Sequence, residues 1–220
     1  MSLTLYYHPL SSFCHKVLIA LYENGCGFEK RIIDLGNEAD HAELQAIWPF
    51  RKFPVIRDHV RNRNVAESTL IIEYLDHFFA SNHPLMPNDW ERALEVRHWD
   101  RVFDLYVHRP MQQIVGARLS GAHADLTGER ATLQTTYGLI DRHLSGRTWM
   151  AGQHFSLADC AAAPALFYAS TVKPFPLEFR HLGAYLKRLL DRPSFGRVID
   201  EAKPYFSLYP FAEAIPERCR

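Results

Sequence analysis

Residues 3–25, LTLYYHPLSSFCHKVLIALYENG, decide how this chain is read. Leu3–Tyr7 is a short run of apolar, aromatic and β-branched residues, a composition that suits a strand. A proline and two serines then break the pattern, Pro9, Ser11 and Ser12. From residue 13 to residue 24, apolar residues return at 17, 18, 20 and 21, one face of a helix, and Gly25 supplies its stop. A strand therefore runs through a polar turn into a helix.

Working outward, residues 29–34 read as a second strand and 40–47 as a short helix. Residues 55–57 form a brief apolar run directly after Pro54, a third strand. The polar stretch 59–64 holds a turn and part of a fourth. Residues 67–79 carry apolar side chains at 70, 71, 72, 74, 75, 78 and 79, a helix with a broad buried face. The order is β-α-β-α-β-β-α. Residues 81–88, SNHPLMPN, form a proline-bearing linker. Beyond it nearly everything to about residue 201 reads as helix. Leu94, Val96, Trp99, Val102, Phe103, Tyr106, Val107 and Ile114 recur at helical spacing, and Pro110 is expected to kink that segment. Residues 125–144 form a second helix. Ser156-Leu157-Ala158-Asp159 resembles a capping box that opens the very apolar 160–169. Pro193 is expected in the first turn of a last short helix, and the tail, 205–220, shows no period. The expected organisation is a small α/β domain over 1–80, a linker over 81–88 and an all-α helical bundle domain over 89–220.

The chain has 220 residues, enough for one or two domains, with 25 basic and 25 acidic side chains. Without a basic excess, neither nucleic acid nor an anionic membrane is an expected partner. No stretch reaches the roughly 18 apolar residues of a membrane span. The opening residues lack the basic flank of a signal peptide. Cys14, Cys26, Cys160 and Cys219 are far apart with no CxxC pair, which reads as reduced thiols in a cytoplasmic protein. No two of the twelve histidines stand three or four apart, so no metal site is expected. P-loop, GxGxxG and GxSxG motifs are absent from the sequence.

Four stretches, in order, carry a family resemblance. They are LYYHPLSSFCHKV (5–17), PFRKFPVIRD (49–58), VAESTLIIEYL (65–75) and FSLADCAAAPALF (155–167). With the element order they resemble a cytosolic glutathione transferase along the whole chain, a thioredoxin-like domain followed by a helical one. The resemblance implies conjugation of the glutathione thiolate to a small apolar electrophile, a detoxifying reaction, with glutathione as co-substrate, no metal, and a homodimer. Glutathione-dependent isomerisation or peroxide reduction on the same site is a second reading. A non-catalytic binding or regulatory protein with this fold is a third.

The resemblance also assigns residues. Ser11 falls where serine-type classes place the hydroxyl that stabilises the thiolate, and a hydroxyl near a helix N-terminus suits that task. Ser12 is then expected to cap the helix. Tyr7 falls where tyrosine-type transferases carry their phenol and is the rival to Ser11, with strand packing the plainer expectation. Cys14 stands at the second position of a thioredoxin-type CxxC whose first cysteine is Ser11, and is expected to be structural. Phe53-Pro54 matches the family's cis-proline turn, which offers the Phe53 backbone to the cysteinyl part of glutathione as an added strand. Lys52 matches the position that reaches the glycine carboxylate. Beside it, Arg51 stands where many members have glycine. Glu67-Ser68 matches the pair that holds the γ-glutamyl end: Glu67 for the ammonium, Ser68 as helix cap and, with the helix N–H groups, for the carboxylate. In the helical domain, His108 and Met111 are expected to line the electrophile pocket.

Overall fold

The structure, a computed structural model, describes residues 2–79 and 84–220. Residues 81–83 of the expected linker lie outside them. The chain divides into two compact units, Met1–Leu85 and Met86–Arg220.

In the first unit, β1 (Leu3–Tyr7), β2 (Glu29–Ile32), β3 (Val55–Asp58) and β4 (Arg63–Ala66) form one sheet in the order β2-β1-β3-β4. β1 runs parallel to β2 and antiparallel to β3, and β3 and β4 form an antiparallel hairpin. The register aligns Tyr6 with Val55 and Val55 with Ala66. That face packs with Ile33, Phe53, Leu44, Ile47 and Trp48. Leu3, Leu5 and Tyr7 point to the other face and are buried. The helices are α1 (Ser12–Glu23), α2 (Glu38–Ile47) and α3 (Ser68–Phe78).

Local chemistry explains where these elements stop and start. α1 ends in a Schellman motif: Cys26 donates to the Leu21 carbonyl, Gly25 donates to that of Tyr22, and Gly25 holds φ at 62°. α2 begins two residues before the expected 40 because Asn37 Oδ1 accepts from the amides of Ala39 and Asp40. Arg31 ties β2 to α2 through Asp40 at 2.6 Å and Glu43 at 2.7 Å.

The second unit is helical: α4 (Trp90–Phe103), α5 (Arg109–Ser120), α6 (Thr127–His143), α7 (Leu157–Val172), α8 (Arg180–Leu190) and α9 (Pro193–Ala202). α4 and α5 are joined by a π-helical segment, Asp104–His108, in which Arg109 donates to the Asp104 carbonyl. The proline effect expected at Pro110 thus takes the form of this widened turn. Proline has no N–H for the carbonyl four residues back and crowds it, and a π-turn re-phases the helix just ahead of it. α7 buries every residue except Ser170, and its run of alanines lets α4 pack closely against it.

The capping box at Ser156 is formed on both sides. Asp159, fully buried, accepts from the amides of Met150 and Ser156 (2.9 Å each) and from the hydroxyls of Ser156 (3.0 Å) and Tyr185 (2.5 Å). Pro193 opens α9 as expected. The aperiodic tail is ordered as three 3₁₀ turns, Lys203–Leu208, Ala212–Ala214 and Glu217–Cys219, seated by buried Phe206, Tyr209, Ile215 and Cys219. Among the described residues no helix is long and apolar enough to cross a membrane.

Candidate functional site

The sheet register brings three separate stretches to one end of the first unit. Tyr6 opposite Val55 sets the end of β1 beside Phe53-Pro54, and Val55 opposite Ala66 sets Glu67 beside Pro54. The loop that leaves β1 carries Ser11 into α1.

Ser11, not Ser12, caps α1. Its φ and ψ of −80° and 117° are extended, and its Oγ accepts from the Cys14 amide at 3.3 Å. Ser12 is already the first helical residue and is buried. A hydroxyl that accepts this bond still has a proton to donate. The backbone turns at this point because Ser11 N–H donates to the His8 carbonyl at 3.0 Å.

Cys14 is fully buried. Burial pushes its thiol up to about 12, against smaller opposing effects of the Ser11 hydroxyl and the His8 backbone. A thiol so placed is almost wholly protonated at neutral pH and a poor nucleophile, as the structural expectation for Cys14 requires. Tyr7 is buried on the Leu3 and Leu5 face, whereas Tyr6 lies on the face packed by α2.

The Phe53–Pro54 bond is cis. Phe53 precedes the β1–β3 ladder, whose last pair is Tyr6 with Val55. Lys52 and Arg51 are exposed beside it. Arg51 holds φ at 52°, the left-handed region that glycine adopts freely, and its amide donates to the Trp48 carbonyl at 2.9 Å. The backbone here demands a conformation that glycine adopts freely, and Arg51 adopts it at a cost.

Glu67 is also left-handed, with φ 68° and ψ 114°, and it occupies the cap position of α3 without a side-chain cap bond. Ser68 is therefore the first residue inside the helix and does not cap it, contrary to expectation. Its position places it among the first-turn amides, which have no carbonyl one turn back to bond. A strained non-glycine residue held at a helix start is a common mark of a binding site.

His108 and Met111 belong to the second unit and are buried. His108 lies on the π segment with Nδ1 3.5 Å from an Asp104 carboxylate oxygen, inside the unit's helical packing.

Three side chains near Ser11 had no role assigned from sequence. His15 Nε2 donates to the Pro9 carbonyl at 2.6 Å. His8 Nδ1 accepts from the Leu10 amide at 3.2 Å. Lys16, fully buried, donates to Thr69 Oγ1 at 3.0 Å and so links α1 to the first turn of α3. The signal available in the sequence was a histidine and a lysine at 15 and 16, in the otherwise apolar half of a helix.

A mixed sheet with a cis-proline ahead of its third strand, followed by an all-helical unit, defines a two-domain protein with a thioredoxin-like first domain. Residues 5–83 match the model of the glutathione S-transferase N-terminal domain, and residues 114–193 match that of the C-terminal domain. The chain belongs to the glutathione transferase family. It is 27% identical over 207 residues to a stringent starvation protein A homolog of Haemophilus influenzae, covering 92% of both chains. It is 28% identical over 214 residues to glutathione S-transferase F10 of Arabidopsis thaliana, covering 90% of this chain and 96% of that one. Among solved structures, a glutathione S-transferase of Methylobacterium radiotolerans in complex with glutathione sulfonate is similar. The identity is 27%, the TM-score is 0.77, and the match covers 89% of this chain and 93% of that one.

Proposed function

We propose that this protein binds glutathione in its first unit, stabilises the thiolate through Ser11 and joins it to a small apolar electrophile. The observation that carries this reading is the Ser11 hydroxyl. It accepts one backbone bond at the start of α1 and keeps its own proton for a sulfur placed at that positive helix end. Glutathione then lies along the assembled end of the sheet. Phe53 offers its backbone to the cysteinyl part. Glu67 takes the ammonium, while Ser68 and the first-turn amides of α3 take the adjoining carboxylate. Lys52 and Arg51 face the glycine carboxylate. Similarity to the Methylobacterium transferase with glutathione sulfonate supports this ligand. The family resemblance extends the reading to a homodimer in the cytoplasm.

The test is titration with glutathione by calorimetry, followed by conjugation assays over a panel of electrophiles. Ser11→Ala is expected to lower kcat/KM about 100-fold, the worth of a hydrogen bond to a charged group, with glutathione affinity nearly intact. Tyr7→Phe is expected to stay within about twofold, as for loss of a hydroxyl outside the chemistry. Full activity in Ser11→Ala together with loss in Tyr7→Phe would sink the role given to Ser11.

A second reading, a regulatory protein on the same fold, is favoured by the likeness to a stringent starvation protein A homolog and by Arg51. Absence of glutathione binding at millimolar concentration would select it.

A further inference from the structure

We propose that His8 is a positioning residue for the thiol site, its ring holding the Ser11 loop by one contact and Phe53 by another. This rests on the glutathione-binding reading above. The Nδ1 atom accepts the Leu10 amide at 3.2 Å, and Leu10 is the residue before Ser11. The His8 carbonyl accepts the Ser11 amide at 3.0 Å, so both amides of the turn close onto one residue. The peptide group that carries the Leu10 amide is held from its other side by His15, which donates to the Pro9 carbonyl. Meanwhile the His8 ring stacks on Phe53, with centroids 5.9 Å apart and planes 19° from parallel. Phe53 is the residue whose backbone is to pair with the peptide. One side chain therefore couples the hydroxyl that meets the sulfur to the strand edge that meets the peptide.

The coupling needs the neutral imidazole, because only an unprotonated Nδ1 accepts an N–H. Partial burial lowers the pKa of His8 and favours that form, against the opposing charge of Asp34.

The two contacts are separable by substitution. His8→Phe keeps a flat ring for Phe53 and removes the acceptor. His8→Asn keeps a short side-chain acceptor and removes the ring. Neither residue touches the sulfur in this reading, so the two effects are read separately. The first is the titration of the bound glutathione thiol, followed by thiolate absorbance against pH. The second is the Kd for S-methylglutathione, which has no thiol to ionise.

In His8→Phe the thiol midpoint is expected to rise by about one pH unit, tenfold in thiolate population, with the S-methylglutathione Kd unchanged. In His8→Asn the midpoint stays near wild type and the Kd rises about fivefold, about the worth of one aromatic contact. Circular dichroism confirms the fold of both. If both variants match wild type in both readouts, or move both readouts together, the inference is overturned while glutathione binding stands. A wild-type chain that binds neither ligand overturns the underlying reading, and the inference with it.

Discussion

Arg51 holds a left-handed backbone that costs a residue with a Cβ roughly 1–2 kcal/mol. Glycine would relieve that strain but give back some unfolded-state entropy. Arg51→Gly is therefore expected to stabilise the protein by about 0.5–1 kcal/mol in urea unfolding, while raising the glutathione Kd about twofold through loss of one exposed cation. Stabilisation with a sharper gain in affinity would instead mean that Arg51 crowds the site. Cys14 carries a second residue-scale consequence. Its folded pKa of about 12 lies above the unfolded thiol value near 8.5, so the stability it contributes is complete below about pH 8.5. As pH rises from there toward about 12, the unfolded chain releases the proton first, and stability falls by up to about 1.4 kcal/mol per pH unit. Melting curves between pH 7 and 10 should show this slope in wild type and a flatter one in Cys14→Ala. Neither left-handed residue could be read from sequence, since arginine and glutamate do not mark that conformation. The cap of α1 was expected at Ser12 rather than Ser11 for a related reason: 11 and 12 are the same residue type, and only the extended backbone of Ser11 separates cap from first turn.

At the scale of elements, the start of α7 concentrates its polar groups on a single side chain. Asp159→Ala would leave the buried amides of Met150 and Ser156 and the Tyr185 hydroxyl without their acceptor. The expected loss is about 3–5 kcal/mol, at about 1–3 kcal/mol for each buried donor left without its acceptor, measurable by denaturant unfolding. Asp159→Asn should recover part of it by keeping one acceptor oxygen. α1 tests the double role of Ser11 in the same way. Ser11→Ala should cost about 1 kcal/mol of stability for the lost cap, and Ser11→Gly only a few tenths. Both remove the hydroxyl, so activity falls in both. The order of elements was legible because strand, breaker and helix periods alternate cleanly across the first 80 residues and because S-x-x-D before an apolar run has one mechanical meaning. What stayed hidden depends on backbone phase: the π turn ahead of Pro110, and the short 3₁₀ turns of a tail whose aromatic residues follow no helical period.

For the molecule as a whole, the proposed homodimer predicts a sedimentation mass of twice the 25.4 kDa chain. Each unit exposes large apolar side chains that a partner surface would cover, Phe50 and Leu70 in the first, Trp90 and Leu94 in the second. Phe50→Ser and Trp90→Ser should each shift the equilibrium toward monomer at micromolar concentration, and an unmoved dimer would place the interface elsewhere. The central place of β1 in its sheet has a consequence for synthesis. β1 leaves the ribosome before either of its partners, residues 29–32 and 55–58. At roughly 5–20 residues per second, it waits several seconds for the second of them. During that interval LTLYY has open hydrogen-bonding edges, which is when a nascent-chain chaperone or a slowed codon would have most effect on yield.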